Sequence, residues 1–492
     1  KYYGIKHEVI DLEWLKNISN STLTSDKEVP TPKESNLDIK EEAAKTAKAV
    51  WIPNRNGLFI NIAACMAEAY KFTHIIIGAN KEESITFKEV ELLAYLSYCC
   101  NKTGNYFGNI ECVDEVLSKT DDKLQIAMLK ITKLESLLNI GNAGEVINTI
   151  DNDVLPVLDE FLSKRYKSKV PFDVVYDSWL RLFLLLANAL IMQGNDRSFE
   201  ILTMIFDVIE RNKIDDKKFI CGCKLALAFA NTMKGDFYTS DTILEDILSE
   251  FTPDSEGVLR WNLIHIINNV FRAKYENMQE DLFEVVTYAN NCGDNFTKNI
   301  LKTVLGKIFK DNNQVKYALE IYNNQIAYFA KEKMAIGALL TWYLIADATL
   351  VSEGPHEAIE IAQQALEVAQ NPKINNYFFI ILYKIVIAKA CVIISDYETA
   401  KIHLENAIIL ASKFSMKDLL SRLYLQYGKY FQEIGLLKSE LQREYLIGAQ
   451  KMYDKAGEMV KQTKNNSVHI DIEKSKQVLH SFCQLNGISI AD

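Results

Sequence analysis

Trp342-Tyr343-Leu344-Ile345-Ala346, followed by Ala358 just after Pro355-His356-Glu357 and by Ala365 after Ala362-Gln363-Gln364, is the stretch that decides the fold. Its three alanines return 42 residues later as Ala388, Ala400 and Ala407, again separated by 12 and 7 residues. Gly306 and Ala318 repeat the 12-residue step, with Gln325 in the third place, and Ala449 and Ala456 keep the 7-residue step. The reason for such spacing is close packing. A small residue on one helix lets a second helix approach, and two alanines one face apart on the second receive it; bulky residues at all three positions hold the helices apart. Working outward, small residues recur at Ala187, Ala228, Gly306, Ala346, Ala388 and Gly428. The spacings are 41, 78, 40, 42 and 40, so one member of a 40-residue register is missing. Turn signals fall between them at Gln193-Gly194-Asn195-Asp196 and Lys234-Gly235-Asp236, with Gly435 as a further one after Gly428. Pro355 stands where a second helix begins, a position that tolerates its missing N–H.

This 12-and-7 pattern resembles the tetratricopeptide repeat, including Trp342 four residues before Ala346. The period is longer than that family's usual ~34 residues, which implies longer helices. Composition agrees with long helices and short connections: 20 glycines and 8 prolines in 492 residues are about half the usual share. The fold class expected is mostly α, a TPR-like α-solenoid of about seven or eight helix pairs, preceded by a partial α/β segment. The expected divisions are 1–87, 88–465 for the repeats, and 466–492 for a C-terminal helix and tail. The pair near 250–290 reads as degenerate. Within the repeats, Ala346, Ala358, Ala365, Ala388, Ala400 and Ala407 are the expected packing residues.

A net charge of −10 argues against nucleic acid or a membrane surface as partner. Nine cysteines without a CxxC suit a reducing, cytoplasmic setting. The apolar run 377–394 is interrupted by Lys384 and Lys389 and reads as a buried helix of a soluble array rather than a membrane span. Seven scattered histidines form no HExxH, and neither a Walker loop nor a GxSxG elbow occurs, so residues 88–492 hold no catalytic constellation and no expected metal site. Aromatics at Tyr322, Tyr328, Phe329, Trp342 and Tyr343 read either as helix-packing core or as a groove lining. Asn323, Asn324 and Asn376 are candidates for holding a peptide backbone in extended form.

Residues 1–87 follow a different grammar and hold three of the eight prolines. His7–Leu12 reads as a strand, Asn56–Tyr70 as a helix with Leu58, Ile62, Ala63, Met66 and Ala69 on one side, and His74–Ala79 as a buried parallel strand. Strand, helix, strand is a βαβ unit. Four patches carry a more specific likeness: His7-Glu8-Val9-Ile10-Asp11-Leu12; Ser21-Thr22-Leu23-Thr24 with Glu28-Val29-Pro30; Trp51-Ile52-Pro53-Asn54-Arg55-Asn56; and Ile77-Gly78-Ala79-Asn80-Lys81-Glu82-Glu83 with Thr86-Phe87. In order and spacing they resemble the 7-cyano-7-deazaguanine synthases of queuosine biosynthesis. The resemblance implies an ATP-dependent C–N ligase that adenylates a carboxylate and uses ammonia to form an amide and then a nitrile. It implies ATP or substrate contacts at Arg55, Asn56, Asn80 and Glu83. Arg55 and Asn56 would open a helix, and Asn80 would follow a strand at its carboxyl end.

The chain departs from that family in two respects. The family's Ser-Gly-Gly-x-Asp-Ser pyrophosphate loop does not occur here and would lie before Lys1; the family's zinc-binding cysteines are also absent, Cys99-Cys100 and Cys221-Gly222-Cys223 lacking tetrahedral spacing. The expected function is therefore a protein- or peptide-binding scaffold fused to an incomplete synthase-like segment that is not catalytic as it stands. ATP is the expected cofactor only if that segment works. The alternative is an active synthase with an appended repeat module, and a third reading is a peptide-sensing regulator.

Overall fold

A computed structural model describes residues 105–164, 172–248, 256–275, 278–291, 294–437 and 441–490, with isolated positions before 105. The chain divides into two compact units, Lys1–Glu89 and Val90–Asp492. In the first, Leu58, Phe59, Ile62, Ala63 and Met66 are helical. The strand expected at 74–79 and residues 7–9 of the one expected at 7–12 lie outside the described residues, while Ile10, Asp11 and Leu12 are described and are not in a strand.

The described part of the second unit is built from α-helices. They are α1 (Tyr106–Leu117), α2 (Lys123–Asn139), α3 (Ala143–Thr149), α4 (Leu155–Lys164), α5 (Phe172–Gln193), α6 (Arg197–Asn212), α7 (Lys217–Lys234), α8 (Phe237–Leu248), α9 (Glu256–Phe271) and α10 (Met278–Asn291). The series continues with α11 (Asn295–Asp311), α12 (Val315–Lys331), α13 (Ala335–Ser352), α14 (Pro355–Gln370), α15 (Tyr377–Ile393), α16 (Tyr397–Lys413), α17 (Lys417–Leu437), α18 (Gln442–Thr463) and α19 (Asn466–Leu485). A single π turn, Ile150–Val154, joins α3 to α4. The pairs are α2 with α3–α4, then α5 with α6, and so on to α17 with α18, and α19 closes the array. The result is a TPR-like helical solenoid.

Side-chain caps punctuate the array at repeating positions. Asp216, Asp294, Asn376, Asp396 and Asn465 each accept a hydrogen bond from the backbone N–H three residues on, which satisfies an otherwise orphaned donor of the first turn. Gly194 (φ 77°) and Gly235 (φ 79°) make the left-handed turns that end α5 and α7, where only glycine is unstrained. Gly435 does not make a turn. It lies inside α17, where a Cβ would come within 2.9 Å of the Leu446 side chain, so its smallness serves helix approach rather than chain reversal.

The small-residue register is a packing register. Ala346, Ala388, Ala400 and Ala407 are fully buried, and Ala365 joins them in one hydrophobic cluster; Ala358 is fully buried as well. At Gly306 the neighbour is the ring of Tyr322 from α12, 2.4 Å from where a Cβ would stand, and at Gly428 the ring of Tyr453 from α18 fills the same role. The missing member of the register is Ile266 on α9, seven residues before the left-handed Ala273 just as Ala187 and Ala228 precede Gly194 and Gly235 by seven. Asn268 lies two residues further on. It is fully buried and accepts from the Thr232 hydroxyl at 2.7 Å, while its amide donates to Ser240 (3.0 Å) and Asp241 (2.9 Å). Arg272 completes the group, donating to Asp241 at 2.6 Å and to the Asn268 carbonyl at 3.1 Å. The network joins α9 to the preceding pair, α7 with α8, while Leu259, Ile266 and Val270 of α9 share an apolar core with Met278, Leu282, Val285 and Ala289 of α10.

The repeats return on themselves five pairs later. The Ala335 N–H donates to the Ile140 carbonyl at 2.9 Å, the Glu145 N–H to the Lys373 carbonyl at 3.1 Å, and the Asn376 amide to the Met192 carbonyl at 2.6 Å. Lys234 is buried between the same two layers and donates to the carbonyls of Gly194 and Phe414 and to Asp196. Gly194 and Gly235 admit this contact, since Cβ atoms there would meet Met416 Cε at 2.2 Å and Asp418 Cβ at 2.6 Å.

Two substitutions test this account. Gly306→Val forces the Tyr322 ring off its seat and is expected to destabilise the solenoid by about 1–3 kcal/mol, with Tyr322→Leu on the same chain returning part of the loss in urea unfolding. Asn268→Ala removes three side-chain hydrogen bonds from a buried network and is expected to lower stability by about 1–3 kcal/mol; an unchanged urea midpoint would show that the network contributes nothing.

Candidate binding surface on the first helices of the repeats

The residue that follows each small packing residue is turned about 100° around its helix, away from the paired helix. In the last four repeats it is charged: Lys307, Asp347, Lys389 and Lys429. These side chains, with Lys310 and Asp311 on α11 and Asp418 and Arg422 on α17, form a polar face on the first helices of the pairs.

The contacts are continuous. Lys307 donates to Asp311 at 2.6 Å, and the Tyr275 hydroxyl donates to the same carboxylate. Asp347 receives Lys310 and, at 3.4 Å, Lys389. Asp418 receives Arg422 Nε at 2.8 Å and the Asn465 amide at 2.7 Å. The Arg422 guanidinium also lies over the Phe271 ring, 5.9 Å from its centroid, so α17 reaches back to the end of α9. Each of the three carboxylates is thereby doubly bonded, whereas the donors are not exhausted. Among the described residues, Arg422 uses only Nε, and Lys429 makes no hydrogen bond or ion pair.

The same face is half-buried, and water still reaches it. The Lys307 and Arg422 side chains retain 23% and 22% of their exposure, and Lys389 retains 30%. Burial nevertheless dominates the protonation of Lys307. It pushes the Lys307 ammonium below its ordinary range, Asp311 pulling the other way and Lys310 and Arg422 adding repulsion. It lowers Lys429 too, against the opposing field of Asp471. Burial opposes the charge on Asp347, but Lys389, Lys310 and Lys307 outweigh it and hold that carboxyl well below the usual carboxylate range. Tyr322, fully buried, brings its hydroxyl into the field of Asp311, Asp347, Tyr343 and Tyr275 and has no hydrogen-bond partner.

Arg55, Asn56, Asn80 and Glu83 lie outside the described residues. Of the groove candidates, Tyr322 and Phe329 are core. Asn323 and Asn324 are exposed on α12, a second helix of its pair, and Asn376 caps α15 while holding the Met192 carbonyl. The polar face escaped the pattern search because that search followed small residues; the position one residue later carried the signal. Cys221 and Cys223 are buried, with the Cys223 thiol pushed up to about 12 by burial, and no group of three His, Cys, Asp or Glu among the described residues is placed to hold a metal ion. Two helices, Phe172–Gln193 and Ala335–Ser352, are long and apolar enough to cross a membrane by length and composition, yet both contribute many buried residues to the interior of the array.

Comparison with known proteins bears on the first unit. Residues 1–92 match the family model of queuosine biosynthesis protein QueC. Among curated relatives, the 7-cyano-7-deazaguanine synthase of Desulforamulus reducens is 49% identical over 90 residues, 18% of this chain and 40% of that enzyme. The Methanosphaera stadtmanae synthase is 40% identical over 122 residues, 24% of this chain and 53% of that enzyme. The chain therefore spans about two fifths to one half of the relatives it matches. A crystal structure of a Rap protein complexed with competence and sporulation factor aligns over 76% of this chain and 99% of its own, with 10% identity and a TM-score of 0.47.

Asp347 is the keystone of the polar face. Asp347→Asn leaves Lys310 and Lys389 facing each other without a counter-charge and is expected to destabilise by about 3 kcal/mol at pH 7. Because the folded pKa of Asp347 is depressed, its contribution is complete above the unfolded value of 3.8 and is lost as pH falls below it. The gap between parent and variant in urea titrations is expected to narrow from pH 5 to pH 3; a constant gap would remove the charge argument.

Proposed function

We propose that the helical region is a peptide-binding scaffold and that the synthase-like segment at 1–92 is not catalytic as it stands. The observation that carries this reading is the half-buried face of the first helices, where cationic donors outnumber the acceptors that hold them. A surface built only for solenoid stability has no use for desolvated ammonium groups, since apolar residues pack as well without the desolvation penalty. Repeat arrays bind through such extended faces without needing chemistry. The setting we assign is cytoplasmic, with a protein or peptide partner rather than nucleic acid or membrane.

The second reading, an active 7-cyano-7-deazaguanine synthase using ATP, is favoured by the 49% identity over 90 residues. Arg55, Asn56, Asn80 and Glu83 would then contact ATP or substrate.

Selection of a phage-displayed peptide library on the immobilised full chain is expected to enrich a family of sequences that compete with one another. Enrichment is expected to collapse when Lys389→Gln and Lys429→Gln are introduced together, and a library that yields no competing family would defeat the binding reading. Incubation of the same chain with 7-carboxy-7-deazaguanine, ATP and ammonia is expected to leave the substrate unchanged; nitrile formation would establish the synthase reading instead.

A further inference from the structure

The first helices of the last four repeats carry Lys307, Lys389 and Lys429 against one carboxylate, Asp347, at the position after the small packing residue. The remaining carboxylates of the face, Asp311 and Asp418, are each held by two donors of the protein itself. What stands unused is cationic: the two Nη groups of Arg422 and the ammonium of Lys429. We propose that this face binds an acidic peptide, with one carboxylate on the Nη groups of Arg422 and a second on Lys429. This assignment rests on the peptide-binding reading above and specifies its ligand.

Three features favour an acidic peptide over other anions. Arg422 and Lys429 lie seven residues apart on α17, two turns of helix and about 10 Å along its axis. An extended peptide in polyproline II conformation brings residues three apart onto one side about 9 Å apart, so a Glu-x-x-Glu spacing matches the two cations. The interspersed carboxylates of Asp347 and Asp418 repel a continuous polyanion such as a nucleic acid backbone but leave room for isolated carboxylates separated by neutral amides. Burial already lowers the readiness of Lys307 and Lys429 to carry charge. An anion brought to the face restores that charge, and the planar Arg422 fork suits a carboxylate held by two parallel hydrogen bonds.

The test is fluorescence polarisation with the full chain and labelled Gly-Ala-Glu-Ala-Ala-Glu-Ala-Gly, beside counterparts in which both Glu are Gln or both are Lys. The Glu peptide is expected to bind about tenfold or more tightly than either counterpart, with affinity falling as salt rises. Arg422→Gln is expected to erase that preference. Because Arg422 also pairs with Asp418, Lys429→Gln serves as the second variant: it has no ion pair to lose, is expected to keep the parent Tm, and is expected to weaken the Glu peptide about fivefold or more. Equal binding of the Gln peptide, tighter binding of the Lys peptide, or displacement by a twelve-nucleotide oligothymidylate at lower concentration than by unlabelled Glu peptide would overturn the acidic assignment. If library-selected peptides bind while the Glu peptide does not, the acidic assignment falls and the peptide reading stands. If no peptide from either source binds, both fall.

Discussion

A close approach between paired helices, a tyrosine ring seated where a Cβ would otherwise stand, governs most of what surrounds it. At Gly306 and Gly428 the rings of Tyr322 and Tyr453 lie within 2.4 Å of the missing atom's position. Where the small residue is Ala346 or Ala388, the partner helix answers with alanines of its own, Ala358 with Ala365 and Ala400 with Ala407. Both solutions set the two helices of a pair at short range, and both rely on close packing of the kind found in organic crystals rather than on loose apolar contact. Once pairs are set this close, the 40-residue step repeats, and chain elements five pairs apart meet. The hydrogen bonds from Ala335 to Ile140 and from Asn376 to Met192 depend on that step being kept across every intervening pair.

The repeat architecture was legible in the sequence because steric constraint at a small residue is local and severe. Spacings of 12 and 7 residues survive when most other positions drift, and they place α11 through α18 without any knowledge of contacts. The pair at 256–291 was harder to read for the opposite reason. There the register position holds the bulky Ile266, buried in an apolar cluster, so the small-residue signal is missing although the helices pack. Gly435 misled in another way. Glycine signals a turn or a close approach, and only the identity of the neighbour, here Leu446, separates the two. The polar face was the least visible, since Lys307, Asp347, Lys389 and Lys429 look like ordinary solvated charges until the register shows that they stand at one equivalent position. The synthase-like patches at 1–87 were recognisable by motif order, and the family match at 1–92 agrees with them.

The charged face and the packing register are coupled by one helical step. Moving a single residue along α13, from Ala346 to Asp347, rotates the side chain from the paired helix to the inner side of the array. The register that keeps Ala346 fully buried therefore also keeps Asp347 between Lys310 and Lys389. A one-residue slip in any first helix would bury a charge against the second helix and expose the alanine, a change far costlier than the loss of any single ion pair. Evolution of a new ligand preference is free to exchange Lys for Asp or Gln at the position after the small residue, while the small residue itself is held by sterics. The solenoid thus separates two tasks that share a helix: positions such as Gly306 and Ala388 set where the helices lie, and the next residue sets what they meet. Arg422 shows how far this reaches. Its guanidinium sits over Phe271, four pairs back, only because every pair between them keeps the same step.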